Sequence, residues 1–266
     1  MNFGVLALQE APWPEMVDRW RYLDELGIET IWVADHLRPG QEPWFESWTC
    51  LTALAYVTER ARIGPLVSSM TLRHPAVLAR TALSVAALSG GRLELGVGSG
   101  DSADDHEVAA VPRWTPKERA GLFVPWVERL VELLSDERLQ PKTPVPLTIA
   151  GHGPTLLRLA AQHADRWNAF GGFGLSGEDG LAKCRRDNGR LDEFCAETGR
   201  KVLRSALVGY PFIAETPFRS EEAWHDFVGR WEDAGFEELV LFYPWDWRTP
   251  EGSVEPGLPE RMLGKG

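Results

Sequence analysis

The sequence predicts a (β/α)₈ barrel, an α/β fold of the TIM-barrel type, on three observations. Short apolar runs alternate with amphipathic helical stretches along the chain, and eight such runs can be counted. The length of 266 residues is close to the ~250 typical of these barrels. No Gly-, Pro- or Ser-rich linker divides the chain, so one domain over residues 1–266 is expected. An open doubly wound sheet shows the same alternation, but the strand count favours closure.

The first half of the chain supplies four predicted strands with their helices. The strands are short apolar or β-branched runs, namely Phe3–Ala7, Thr30–Ala34, Arg62–Val67 and Leu93–Val97. The first helix carries apolar residues at helical spacing from Met16 to Leu26 and is closed by Gly27. Further helices are predicted over Trp48–Thr58, from Pro75 to Gly90, and over Glu118–Leu134.

The second half repeats the pattern but ends differently. Its predicted strands are Pro146–Ala150, Trp167–Phe170, Ala206–Phe212 and Leu239–Tyr243. Its predicted helices are Pro154–Ala164, Leu181–Thr198 and Glu221–Ala234. After Tyr243 only Pro259–Leu263 has the composition of a helical turn. The eighth helix of the barrel is therefore expected to be short or missing.

The charge balance argues against two classes of partner. The chain has 28 basic and 39 acidic residues, a formal charge of −11. A surface this acidic repels nucleic-acid backbones and anionic lipid headgroups, so neither nucleic acid nor a membrane is expected as a partner.

Cysteine content and the N-terminal sequence favour a cytoplasmic protein. Cys184 and Cys195 lie on one predicted helix, where eleven residues of rise separate them by ~16 Å, beyond the ~7 Å that a disulfide allows. No apolar run approaches the ~18 residues of a membrane span. The first residues also lack the basic stretch and cleavage site of a signal peptide.

In α/β barrels the functional site lies at the carboxyl ends of the strands, so these ends give the candidate residues. The second strand is followed by Asp35 and His36. An imidazole beside a carboxylate can donate or accept a proton at neutral pH. The alternative for this pair is structural, with Asp35 capping a helix and His36 bonded to backbone.

The fourth strand leads into Gly98-Ser99-Gly100-Asp101, followed by Asp104, Asp105 and His106. The glycines allow a planar or phosphorylated ligand to approach the backbone. The carboxylates behind them can bind hydroxyl groups, supply a general acid or hold a cation, or they form a solvated acidic loop. Their spacing matches no known metal-ligand pattern, so no metal is expected.

The fifth strand leads through Gly151, His152 and Gly153 directly into a helix that begins with Pro154. A helix N-terminus preceded by small residues binds anions, and phosphate is its natural ligand. A simple tight turn is the alternative. The chain has no Gly-x-Ser-x-Gly elbow, phosphate-binding P-loop or His-Glu-x-x-His motif, which argues against the commonest hydrolases and NTPases.

Taken together, segments in a fixed order resemble the luciferase-like monooxygenases, flavin- or deazaflavin-dependent α/β-barrel oxidoreductases. The segments are Ile31–His36, Glu46–Thr49, Arg73–Ala79, Gly90–Gly100, Ala150–Pro154 and Ala164–Asn168. The resemblance extends from residue 3 to about residue 243, nearly the whole chain.

The resemblance implies how a cofactor would lie in the barrel mouth. Asp35 and His36 would be near its ring or polyol, and Leu66-Val67 falls where the family places a non-prolyl cis peptide behind the ring. Ser99, Asp101 and Asp104 would face the ring or its side chain. The segment Gly151–Gly153, with His152, would hold the phosphate. Trp44 is a further candidate neighbour of the ring.

The resemblance implies that the chain is an oxidoreductase that would transfer a hydride to or from a small organic substrate, with His36 and Asp101 expected as the catalytic residues. Coenzyme F420 is favoured over FMN because Asp101 matches an acidic position of the deazaflavin enzymes. With FMN the enzyme would activate O₂ as a monooxygenase. A flavin-binding barrel without catalysis is the alternative. The short tail leaves the mouth less covered, which is consistent with a homodimer.

Overall fold

The computed structural model describes residues 1–37, 44–139, 143–172, 174–209 and 213–264. Its strands are β1 Asn2–Ala7, β2 Thr30–Val33, β3 Arg62–Pro65, β4 Ser68–Ser69, β5 Leu95–Gly98, β6 Leu147–Ala150, β7 Arg166–Phe170, β8 Leu175–Ser176, β9 Leu203–Leu207, β10 Ile213–Ala214 and β11 Glu238–Tyr243. Nine of them form one parallel sheet in the order β3-β2-β1-β11-β9-β7-β6-β5-β4, and β8 pairs with β10 beside it.

The sheet closes into the predicted barrel through its third strand, which is divided into β3 and β4. β3 pairs with β2, and Ile63 of β3 also forms a parallel bridge with Leu93 just before β5. β4 then pairs with β5, with Ser68 opposite Val97. The two ends of the sheet order are therefore consecutive pieces of one chain segment, and together they complete an eight-position barrel.

Helices cover the outside of the barrel. They are α1 Trp13–Leu26, α2 Ser47–Val57, α3 Pro75–Leu88, α4 Ala103–Val108, α5 Pro116–Leu134, α6 Pro154–His163, α7 Gly177–Thr198, α8 Glu221–Asp233 and α9 Leu258–Leu263, with a 3₁₀ turn at Pro217–Arg219. Gly27 ends α1 in the left-handed conformation at φ 86°, as its position predicted. The last helix has only six residues, so the prediction of a short final helix is confirmed.

The differences from the sequence prediction that matter most lie in the third and seventh strands and in one additional helix. The third strand was predicted as one run, Arg62–Val67, but Leu66 and Val67 separate β3 from β4. The seventh strand was predicted at Ala206–Phe212, but β9 is Leu203–Leu207, and residues 210–212 lie outside the described part. Polar residues concealed its start, because Ser205 points inward to accept a hydrogen bond from Asn168. The acidic loop after β5 contains α4, which apolar periodicity did not indicate.

Charged side chains close the amino-terminal end of the barrel. Arg166 lies within ion-pair distance of both Glu94, at 3.3 Å, and Glu238, at 2.9 Å. Arg62 pairs with Glu94 from the next strand, at 2.9 Å. Burial raises the pKa of Glu238 to about 7, against the opposing charge of Arg166. The opposite end, where the strands finish, is the end left open for a ligand.

The three cysteines are free and buried, and Cys184 and Cys195 both lie on α7 as predicted. Within the described residues, none of the helices has the length and apolar content needed to cross a membrane.

Candidate functional site

A cleft of about 590 Å³ opens at the carboxyl ends of the strands, a size typical of ligand and cofactor sites. The segments that follow β2, β5 and β6 supply most of its polar lining. Leu66 and Val67, joined by a cis peptide bond as the resemblance implied, contribute apolar surface to it. The position of the cleft agrees with the strand-end reasoning that selected the candidate residues.

On one side of the cleft His36 is held by Asp105. The two side chains meet at 2.6 Å between Nδ1 of His36 and Oδ2 of Asp105. The other oxygen of Asp105 accepts the backbone N–H of Leu37 at 2.8 Å. Ser102 caps α4 through the N–H of Asp105, which fixes the carboxylate below the imidazole. We name His36 and Asp105 the β2 pair.

In the β2 pair the histidine is half exposed and the aspartate is buried. The His36 side chain is 47% exposed, whereas that of Asp105 is 3% exposed. The hydrogen bond to Asp105 raises the pKa of His36 above its ordinary value, and the charges of Asp35 and Asp101 add to this rise against the effect of burial. Burial would raise the pKa of Asp105, but the hydrogen bond and charge of His36 lower it overall. The imidazole therefore holds a proton more firmly than a free histidine.

Asp35 lines the cleft, but its carboxylate is already satisfied by the protein. It accepts hydrogen bonds from Ser47 at 2.7 Å and Ser68 at 3.2 Å, and it pairs with Arg73. The backbone N–H of Ser69 is a further donor to it at 3.2 Å. These contacts fasten the end of β2 to β4. The structure thus gives Asp35 a supporting position beside His36.

Opposite the β2 pair, α6 begins without a side-chain cap. Side chains cap α2, α3, α4, α5, α7 and α8, whereas α1, α6 and α9 have no side-chain cap. The N-cap of α6 is Gly153 at φ 82°. Gly153, Thr155 and Leu156 line the cleft. Within the described residues, the backbone N–H groups of Thr155 and Leu156 have no protein acceptor. Such free N–H groups at the positive end of a helix are suited to an anion.

A second histidine–carboxylate pair stands beside this helix start. His152 Nδ1 lies 2.7 Å from Oδ2 of Asp187, which comes from α7. Nε2 of His152 is buried and, within the described part of the chain, has no hydrogen-bond partner. Burial raises and His152 lowers the pKa of Asp187, with Lys183 and Arg190 adding to a net decrease. We name His152 and Asp187 the β6 pair.

Small residues keep the cleft wall flat between the two pairs. A side chain at Gly98 would bring a Cβ to 2.4 Å from Val67. Gly100 has φ 68°, and a Cβ there would meet Ser69 Oγ at 2.2 Å. Glycine is therefore required at both positions, because a side chain at either one would collide with Val67 or Ser69 of the neighbouring segment.

Nine of the ten predicted site residues line this cleft. They are Asp35, His36, Leu66, Val67, Ser99, Asp101, Gly151, His152 and Gly153. Asp104 is exposed on α4 and does not belong to the lining. Trp44 lies near His36, with 6.4 Å between the ring centroids. The roles assigned to these residues stay predictions.

Sequence reasoning missed the partners of both histidines. Asp105 was considered as one of several acids that could bind a hydroxyl group, supply a general acid or hold a cation, but not as a partner of His36, which lies 69 residues away. Asp187 lies 35 residues from His152, and only the packing of α7 against β7 and α6 brings them together. Lys117 and Arg119 of α5 also line the cleft and had no signal in the sequence.

The chain is similar to known flavin- and deazaflavin-dependent proteins in sequence and in fold. The model of the family described as luciferase-like monooxygenase matches residues 1–263. The F420-dependent glucose-6-phosphate dehydrogenase of Amycolatopsis mediterranei is 31% identical over 57% of this chain and 52% of its own length. The enzyme of that name from Beutenbergia cavernae is 32% identical over 57% of this chain and 51% of its own length. The chain thus spans about half the length of these curated relatives.

Two solved structures share the fold at 15% identity. An F420-dependent secondary alcohol dehydrogenase in complex with an F420–acetone adduct has a TM-score of 0.76 and covers 91% of this chain and 92% of its own. The coenzyme F420-dependent tetrahydromethanopterin reductase of Methanopyrus kandleri has a TM-score of 0.70 and covers 98% and 97%.

Proposed function

This chain belongs to the luciferase-like monooxygenase family, and we propose that it is an oxidoreductase that uses coenzyme F420, in preference to FMN, on a small organic substrate. The observation that carries the proposal is that one cleft contains a buttressed, half-exposed histidine on one side and an uncapped helix N-terminus on the other. In a cofactor with a reactive ring and a phosphate, the histidine would serve the reaction at the ring and the helix N-terminus would bind the phosphate.

The residues present fit such a cofactor. Leu66, Val67 and Ser99 offer a flat, largely apolar wall to the ring, and the glycines after β5 add no side chains to it. The N–H groups that begin α6 would take the phosphate, with His152 beside them. When bound, the cofactor supplies the hydride-transfer chemistry, and the protein supplies orientation and charge.

Within this proposal the β2 pair manages the proton that accompanies hydride transfer. Oxidation of an alcohol group requires removal of its hydroxyl proton, and the reverse reaction requires its return. His36 presents one ring nitrogen to the cleft while Asp105 holds the other, which fixes the orientation of the imidazole. Asp101 lines the same wall and is exposed, so it can exchange protons with solvent.

The F420 preference is supported by the relatives, whose names state F420 dependence. FMN stays the second cofactor, and O₂ activation would then accompany it. The fold is shared with the oxygenating constituent of 3,6-diketocamphane monooxygenase from Pseudomonas putida, a structure in complex with FMN. The TM-score is 0.62 and the identity 15%, and the match covers 78% of this chain and 66% of the other. A barrel that binds the cofactor without turnover is disfavoured, because such a protein has no need of a buttressed histidine.

We also propose a homodimer formed through α2 and α3. Both helices expose apolar side chains on neighbouring surfaces, with Tyr56 92% exposed and Val77 58% exposed. Where such exposed apolar side chains adjoin, they form a surface suited to association. Sedimentation of the wild-type chain and of Val77→Lys tests this, since the charged variant is expected to be monomeric.

A cytoplasmic location is likewise a proposal, supported by the three free thiols.

Titration of the purified protein with F420 and then with FMN tests the main proposal. Because Trp44 lies beside the cleft, tryptophan fluorescence should be quenched on binding, and F420 should bind more tightly than FMN. Absence of binding of either cofactor at high micromolar concentration would refute the proposal. Binding without turnover of any alcohol or carbonyl substrate would favour the non-catalytic alternative.

A further inference from the structure

Two basic side chains line the cleft where no acidic partner accounts for them. Lys117 and Arg119 lie in the first turn of α5, which packs beside α6. Within the described ranges, neither forms an ion pair with a carboxylate. In a chain with a formal charge of −11, unpaired cations directed at a cleft indicate an anionic ligand.

The neighbouring carboxylate in sequence and two of the three carboxylates that line the cleft are already engaged. Glu118 completes a capping box in which its carboxylate accepts the N–H and the hydroxyl of Thr115, each at 2.8 Å. Asp105 is bound to His36 and Asp35 to Arg73. Asp101 is thus the remaining acidic group of the lining that can oppose the two cations.

The position of Arg119 is fixed, and its guanidinium is only partly satisfied. Nη1 donates to the backbone oxygen of Trp114 at 2.8 Å. Its Nε is buried and has no hydrogen-bond partner among the described residues. Lys117, by contrast, is exposed at the rim. A guanidinium with an unpaired N–H and an exposed ammonium, both lining one cleft, are suited to bind carboxylate groups.

We infer that Lys117 and Arg119 form a second anion subsite, which binds the carboxylates of a cofactor tail that continues beyond its phosphate. This rests on the proposed function. The N-terminus of α6 would take the phosphate, and the α5 cations line the same cleft on the helix that packs against α6. FMN ends at its phosphate, whereas F420 carries a lactyl-oligoglutamate tail beyond it. The subsite therefore distinguishes F420 from FMN by the negative charge of the F420 tail and not by the structure of the ring.

The test compares dissociation constants for oligoglutamyl F420 and for FMN, measured by fluorescence quenching at low and high salt. Lys117→Glu is the informative variant, because this exposed position tolerates a charge reversal without loss of folding. Lys117→Arg retains the charge. Arg113→Glu is the matched control, since Arg113 is exposed, lies four residues before Lys117 and does not line the cleft.

Lys117→Glu is expected to weaken F420 binding about 5- to 10-fold at low salt and much less at high salt. FMN binding should change by less than about twofold, and both control variants should bind F420 as the wild type does. Unchanged F420 binding in Lys117→Glu, or equal weakening of F420 and FMN, would overturn the subsite while leaving the proposed function intact. An effect confined to the KM of a phosphorylated substrate would also overturn it. Failure of the wild type to bind either cofactor would refute the proposed function and the subsite together.

Discussion

The β2 pair and the β6 pair have the same construction and opposite surroundings. In each, a histidine that follows a strand end directs Nδ1 to an aspartate from a helix, at 2.6 Å for His36 and 2.7 Å for His152. His36 faces Asp35 and Asp101, whereas Asp187 lies near Lys183 and Arg190. The charges around the first pair are therefore mostly acidic and those around the second partly basic, and our proposal accordingly places proton transfer at the first pair and anion binding at the second.

Exposure separates the pairs further. The His36 side chain is 47% exposed and the His152 side chain 24%. A group that exchanges protons with substrate and solvent must be accessible, whereas a group that binds a phosphate gains from reduced hydration. Identical side-chain pairs can thus serve different tasks, because the neighbouring charges and the access to solvent differ.

The largest expected effect comes from His36→Ala. Loss of the proton-transfer group should lower kcat by a factor of about 10²–10⁴ and change the cofactor dissociation constant less than about threefold. Steady-state kinetics and fluorescence titration measure the two quantities. The matched control is His225→Ala, at an exposed position on α8. If cofactor affinity fell as much as kcat, His36 would be a cofactor ligand, and the contrast between the pairs would be lost.

Asp105→Asn should shift the pH dependence of the β2 pair. Its carboxylate raises the pKa of His36, so the amide should lower that pKa. The acid limb of the pH profile for alcohol oxidation, in which His36 removes a proton, and the alkaline limb for the reverse reaction should both move to lower pH. NMR titration of the His36 ring measures the shift directly. Asp104→Asn, on the exposed side of the same helix, should leave the pKa of His36 in place. An unmoved His36 titration in Asp105→Asn would contradict the role given to Asp105.

The same pair should make folding stability depend on pH. Because the pKa of His36 is higher in the folded than in the unfolded chain, its contribution is fully present below about pH 6.5 and is lost as the pH rises through the folded value. Asp105→Asn should reduce this loss. Denaturant unfolding of both proteins at pH 6 and at pH 9 gives the comparison. The pH dependence that comes from other titratable groups is common to both proteins and cancels in the difference between them. Parallel pH profiles would show that the pair does not affect folding stability.

His152→Ala tests the opposite wall. It should weaken cofactor binding about tenfold, because a hydrogen bond to an anionic group is lost, while kcat at saturating cofactor changes less than about threefold. Asp187→Asn, which removes only the support of His152, should weaken binding about two- to fivefold. Fluorescence titration measures both variants. A fall in kcat with unchanged affinity would reverse the assignment of the two walls.

The sequence by itself determined the barrel and the places where chemistry could occur. Alternation of apolar strands with amphipathic helices depends on local periodicity, and strand ends follow from it, which is why His36 and His152 could be selected without a structure. The short final helix was also evident, because few residues suited to a helix remain after β11.

Only the tertiary structure decided which groups work together. Asp105 lies 69 residues from His36 and Asp187 lies 35 residues from His152, and no local pattern encodes such contacts. The start of β9 was misplaced for the same reason, since inward-facing Ser205 is stabilised by Asn168 from a neighbouring strand. Asp35, predicted to lie near the cofactor, lines the cleft, and only the structure shows the protein donors around its carboxylate. Periodicity specifies which face of an element is buried, whereas the partner of a polar group depends on packing between distant elements.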